Sequence, residues 1–228
     1  FPIPRFVMTA TFIPQSSLFI GIIPALALVY LIISKWTGEF QEKIIFLLFV
    51  FGIISGFTVI FVEFYISLSN LIEFVIIFRF IEIMGKTVIL NLRRFQEKHR
   101  TVLYGLVLGL GFGSIYPPVS LLLINTVSVS TVDIISVLVG ALGMLLIQGS
   151  TGALIGYGVF KRNVVPPITI SIIVHIIFQY LLFELVFTWT WTLVIAGVIA
   201  YLIVMKKIVF PVLKQSERRK RTKKTEKS

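Results

Sequence analysis

The chain has 228 residues, of which 57% are hydrophobic and only 14% charged, with a mean hydropathy of +1.00; a soluble domain carries about 25% charged residues, so a water-soluble globule is excluded. Formal net charge is +11, but ten of the 21 Lys and Arg residues lie between Lys206 and Ser228, so the excess belongs to a peripheral segment and not to a nucleic-acid-binding body. The absence of cysteine excludes disulfides, thiolate chemistry, Cys-ligated zinc and iron–sulfur clusters, and two histidines, His99 and His175, argue against a multi-histidine metal site, so neither a metal nor a cofactor is expected.

Seven apolar segments follow in order: Leu18 to Ser34, Ile44 to Val62, Leu71 to Leu92, Thr101 to Ile124, Asp133 to Phe160, Ile168 to Phe187 and Trp189 to Val204. Each approaches the roughly 20 residues that a membrane-crossing helix needs, and the short loops leave little room for a second domain. The expected fold is therefore all-α: a multipass transmembrane bundle of about seven spans over residues 1–205, followed by a basic tail over 206–228. The chain opens on Phe1, which implies a natural start that is missing or processed.

An odd span count puts the termini on opposite sides. Alternate loops, Lys35 to Lys43, Arg93 to Arg100 and Lys161 to Arg162, hold with the tail 18 of the 21 cations. The other side holds Arg5 alone, which by the positive-inside rule places the N-terminus outside and the tail in the cytoplasm. Trp36, Trp189 and Trp191 fall at span ends, where indole rings favour the interface. The pair Pro117-Pro118 either breaks the fourth span, leaving carbonyls for protein or cavity water to satisfy, or marks its end at Tyr116. Gly105, Gly109 and Gly113, and later Gly152 and Gly156, recur every four residues and offer strips for close helix approach.

Polar residues inside the apolar segments are the candidates for chemistry. Arg79, Glu82 and Lys86 share one face of the third span, where Glu82 reaches either cation. A charge at the bilayer centre costs about 3 kcal/mol on insertion scales, so that face must look inward. It forms either a self-neutralising cluster that fixes helix register or part of a catalytic site. His175 and Gln179 in the sixth span and Gln148 in the fifth are the other deep polar groups. His175 alone reads as an interhelical hydrogen-bonding residue; paired with Glu82 it completes an acid/base couple in which the carboxylate activates water and the imidazole relays protons. Glu63, Glu73, Asp133 and Glu184 lie near span ends, where interfacial solvation accounts for them.

The order of these motifs resembles the PrsW family of intramembrane proteases, relatives of the CAAX-processing proteases and of the multipass scaffold subunit of gamma-secretase. Ile23-Pro24-Ala25-Leu26-Ala27-Leu28 with Tyr30 is similar to the family's first helix. Glu82-Ile83-Met84-Gly85-Lys86 resembles its Glu-Glu-x-x-Lys signature, with Ile83 in place of the second Glu. Tyr104 to Gly113 looks like its Gly-Leu-Gly-Phe helix, followed here by Tyr116-Pro117 where a Glu-Asn pair is usual. Gln148, eight residues before Gly156, stands where a histidine is usual, and His175 with Gln179 resembles the last motif, a histidine preceding Asn at that spacing.

The resemblance implies a family site for peptide hydrolysis from which Ile83, Tyr116 and Gln148 have removed acid or base groups; neither Gln nor Tyr replaces an ionised carboxylate as base at neutral pH. The expected function is a pseudoprotease that binds transmembrane segments of other proteins or scaffolds a membrane complex, with Arg79, Lys86, Tyr116, Gln148 and Gln179 lining a binding cavity. The alternatives are an active intramembrane peptidase using Glu82 and His175 as catalytic residues, and a small transporter or channel, although no inverted repeats accompany the broken helix. Beyond the bilayer itself, the basic tail is expected to bind anionic lipid head groups, with Lys214 to Ser228 disordered until it meets anions. Ribosome contact through ribosomal RNA is the other reading, and no aromatic residue interleaves the tail's charges to support it.

Overall fold

A computed structural model describes residues 15–36, 40–66, 71–96, 98–119, 131–184 and 190–216, and the regular structure in them is entirely helical. The principal helices are α1 (Gln15–Ile33), α2 (Glu42–Ile66), α3 (Leu71–Leu90), α4 (Arg100–Gly113), α5 (Thr131–Lys161), α6 (Val165–Glu184) and α7 (Thr190–Val204). Every expected apolar segment is mainly helical in its described part. Five helices among the described residues are long and apolar enough to cross a membrane, in the stretches Phe19–Trp36, Glu42–Val62, Arg100–Val119, Leu138–Lys161 and Trp191–Ser216. The charges on α3 and the 14-residue length of the apolar stretch Val165–Phe178 in α6 set those two apart. Starting α6 at Ile168 placed Pro166 and Pro167 in a loop; the helix takes both into its first turn, where a missing amide hydrogen removes no intrahelical bond.

The centre of the bundle is α4. The stretch Arg100–Val119 is 94% buried, against 22% for the stretch that contains α1. α4 packs most extensively on α5 and then on α2, α5 also carries α7, and α3 sits against α6, α5 and α4. Glycine permits the α4–α5 contact: a Cβ on Gly105 or Gly152 would run into the carbonyl of the other, and one on Gly109 would strike the Gln148 carbonyl. With no apolar-solvent penalty to drive association in lipid, such close backbone approach supplies the dispersion contacts that hold two helices together.

Pro117 and Pro118 interrupt α4 without ending it. The helix stops at Gly113, turns through Ser114 and Ile115, and resumes over 116–119; residues 120–124 of the expected span lie outside the described residues. Ser114 continues the helical ladder, its amide donating to the Leu110 carbonyl at 3.0 Å, and its Oγ donates to the Gly111 carbonyl at 2.7 Å. Gly21 of α1 packs so closely on the Ser114 carbonyl that a Cβ there would collide with it. The break is thus covered by protein, so it gives no support of its own to a water-filled passage.

At its far end α7 outruns the expected span. After Val204 a π-helical turn, Met205–Val209, leads into helix that continues through residue 216, with Val209, Val212 and Leu213 buried. The division at 205/206 therefore falls within a continuous helix, because an apolar stripe persists between the lysines; the rest of the expected tail lies outside the described residues. His99 Nε2 lies 2.7 Å from Ser216 Oγ and ties this extension to the start of α4.

Replacing Gly152 with Leu is expected to destabilise the detergent-solubilised fold by more than about 3 kcal/mol, since neither backbone can retreat without opening the α4–α5 contact. Gly85 on α3 faces outward with nothing within 4 Å of its Cβ position. Gly85→Ala should therefore stabilise the helix, by up to about 1 kcal/mol in thermal unfolding.

Candidate functional site

The candidate site is organised by the spacing of α3. Arg79, three residues before Glu82, and Lys86, four after it, rise on the same face, the direction in which a Glu–Lys pair is best oriented. Arg79 Nη1 donates to Glu82 Oε2 at 2.6 Å, and Lys86 Nζ to Glu82 Oε1 at 2.7 Å. Their side chains are 0%, 0% and 3% exposed, so the two ion pairs form in a nearly dry interior.

Three other elements close around this row. Tyr116, on the turn that resumes after the break in α4, accepts a hydrogen bond from Arg79 Nη1 at 2.6 Å. The proline interruption therefore has a structural consequence: it shapes the stretch that carries the phenol to α3. Gln148 of α5 accepts a hydrogen bond from Lys86 Nζ through Oε1. The close α4–α5 packing puts it there, and Lys86 Nζ also stands 4.4 Å from the centre of the Phe112 ring. His175 of α6 presents Nε2 to Glu82 Oε1 at 3.2 Å, while its Nδ1 is 2.9 Å from the Ser171 carbonyl one turn earlier. A carbonyl oxygen only accepts, so Nδ1 carries a hydrogen. The Nε2 contact is of ion-pair length, but its angles fall short of a hydrogen bond.

Six of the expected site residues, Arg79, Glu82, Lys86, Tyr116, Gln148 and His175, thus meet in one buried cluster drawn from α3, the end of α4, α5 and α6. Gln179 lies on α6 one turn beyond His175, and its side chain is outside the described residues. Ile83, at the position of the resemblance's second acid, is fully buried in the apolar core on α3. Sequence reasoning missed Phe112 and Ser171 as members of the cluster. Ser171 was accessible as the residue four before His175, a spacing at which a ring nitrogen meets a helical carbonyl; Phe112 needed the α3–α4 packing.

Chemically the cluster is crowded. Both Glu82 oxygens accept from cations and one also faces His175, so a water molecule bound there would share its oxygen with a cation. The Gln148 amide nitrogen and the Ser171 hydroxyl are buried without a hydrogen-bond partner among the described residues. Within that same set no group of three His, Asp or Glu side chains is placed to hold a metal ion.

No protein-family model, curated protein or solved structure matches this chain.

Glu82→Gln leaves two buried cations facing a neutral amide, and uncompensated buried charge commonly costs about 3–5 kcal/mol. The variant should unfold at markedly lower temperature in detergent, and replacing Arg79 and Lys86 with Met in the same chain should recover much of the loss.

Proposed function

We propose that the chain is a seven-span protein of the cell membrane, PrsW-like in organisation and catalytically silent, that holds transmembrane segments of other proteins or scaffolds a membrane complex. In this reading α3 and α6 cross the bilayer beside the five longer apolar stretches, because their polar groups turn inward and leave outer faces such as Ile77, Ile81 and Val88 for lipid. The cation-rich loops and the basic end of α7 then lie in the cytoplasm.

The observation that carries the reading is the double engagement of Glu82: with Arg79 on one oxygen and Lys86 on the other, the carboxylate is engaged as a counter-ion. Gly85 supports the scaffolding half. Gly in a helix interior costs roughly 1 kcal/mol relative to Ala, and this one has no packing neighbour of its own; set between exposed Ile81 and Val88, it is a notch into which the backbone of another helix can settle. The strips on α4 and α5 do not serve this purpose, since they are used against each other.

A second reading, residual peptidase activity, is favoured by the 3.2 Å approach of His175 to Glu82. Purified chain reconstituted in liposomes should leave transmembrane peptide substrates intact. Gly85→Leu, whose side chain enters open space, should keep the fold and lose helical partners captured by cross-linking in native membranes. An unchanged set of partners argues against the scaffold, and cleavage of those peptides by the reconstituted wild-type chain establishes the peptidase instead.

A further inference from the structure

The outer face of α7 changes character along its length. From Ile195 through Ile199 and Ile203 it is exposed and apolar; then come exposed Lys206 and Lys207, exposed Phe210 and Pro211, and exposed Lys214. Seven residues of helix separate Lys207 from Lys214, so the two cations lie on one face about 10 Å apart with an aromatic ring and a proline between them. A lysine pair bracketed above and below by exposed apolar side chains sits at the depth where hydrocarbon gives way to head groups, and its ammonium groups extend toward the phosphates. A soluble polyanion such as RNA does not reach that depth.

The segment is held in place. The π-helical turn Met205–Val209 packs on α5 and α4 with Met205 and Val209 buried, Val212 and Leu213 are buried above it, and Ser216 meets His99 at 2.7 Å. Such π-helical turns concentrate at functional sites. A loose basic tail collects counter-ions by charge alone; this stretch fixes its three lysines on a docked helix, which makes a surface for one head group.

We propose that Lys206, Lys207 and Lys214, with Phe210 between them, form a binding site for the phosphodiester head group of an anionic phospholipid, distinct from any lipid attraction exerted by residues 217–228. The site rests on the membrane placement of the bundle and is independent of whether the buried Glu82 cluster is silent.

The test places the full-length chain in nanodiscs of phosphatidylcholine containing a minor share of phosphatidylglycerol and measures, by native mass spectrometry or with spin-labelled lipid, the preference of bound lipid for the anionic species. Each cation near an anionic leaflet contributes about 1 kcal/mol, so each of Lys206→Gln, Lys207→Gln and Lys214→Gln should lower that preference about fivefold. A full-length variant with the seven Lys and Arg residues of 217–228 changed to Gln should retain most of it. Lys206, Lys207 and Lys214 are exposed, so their replacement should preserve folding, and thermal unfolding serves as the control. Loss of preference on neutralising 217–228, with none on replacing the three lysines, assigns lipid binding to the tail and overturns the proposal. So does a triple variant that loses affinity for an RNA oligomer while its lipid preference is unchanged.

Discussion

The buried charges at the centre of this bundle are arranged around one carboxylate in a medium that cannot solvate it. Glu82 stands between Arg79 and Lys86 on consecutive turns of α3, and each cation also donates outward, Arg79 to Tyr116 and Lys86 to Gln148. In a low-dielectric interior, ionised groups are tolerated only when paired and hydrogen-bonded. The pairing therefore dictates the inward face of α3 and draws the end of α4, α5 and α6 toward it. Helix register follows from the same constraint: rotating α3 by one residue would carry the three charges toward lipid.

Two devices elsewhere make that convergence geometrically attainable. Glycines let α4 and α5 approach backbone to backbone, which brings Gln148 and Phe112 level with Lys86. The interruption at Pro117-Pro118, closed by Ser114 and covered by Gly21, shapes the stretch that carries Tyr116 to Arg79 without opening the helix to water. Packing of small residues and a polar core thus reinforce one another: the first supplies proximity, the second penalises any slippage. The result is a carboxylate held on both oxygens by cations within the bundle.

Much of this was legible in the residues. The spacing of Arg79, Glu82 and Lys86 contains its own pairing, because local i, i+3 and i+4 relations need no tertiary information. The gathering of Tyr116, Gln148 and His175 around them followed from motif order and from the cost of leaving deep polar groups unpaired. The far end of α7 was not legible, since Lys206 and Lys207 read as the start of a tail, and only the buried Val209 and Leu213 reveal that the helix continues. The purpose of the glycine strips was equally hidden: spacing alone does not tell whether a strip meets a helix of its own chain or of a partner, and Gly85, outside any strip, faces open space. Phe112 escaped notice because a ring beneath an ammonium group depends on which helices meet, a long-range property that no local period encodes.

The central claim, that Glu82 is held as a counter-ion, is tested most directly by a double-mutant cycle between Glu82 and Lys86, with unfolding free energies of wild type, Glu82→Gln, Lys86→Met and the double variant measured in one detergent. The ion pair predicts strong non-additivity, a coupling of about 2 kcal/mol or more, with Lys86→Met far less costly when Glu82 is already neutral. Additive losses would mean that the carboxylate and the ammonium group do not depend on each other, which contradicts the account.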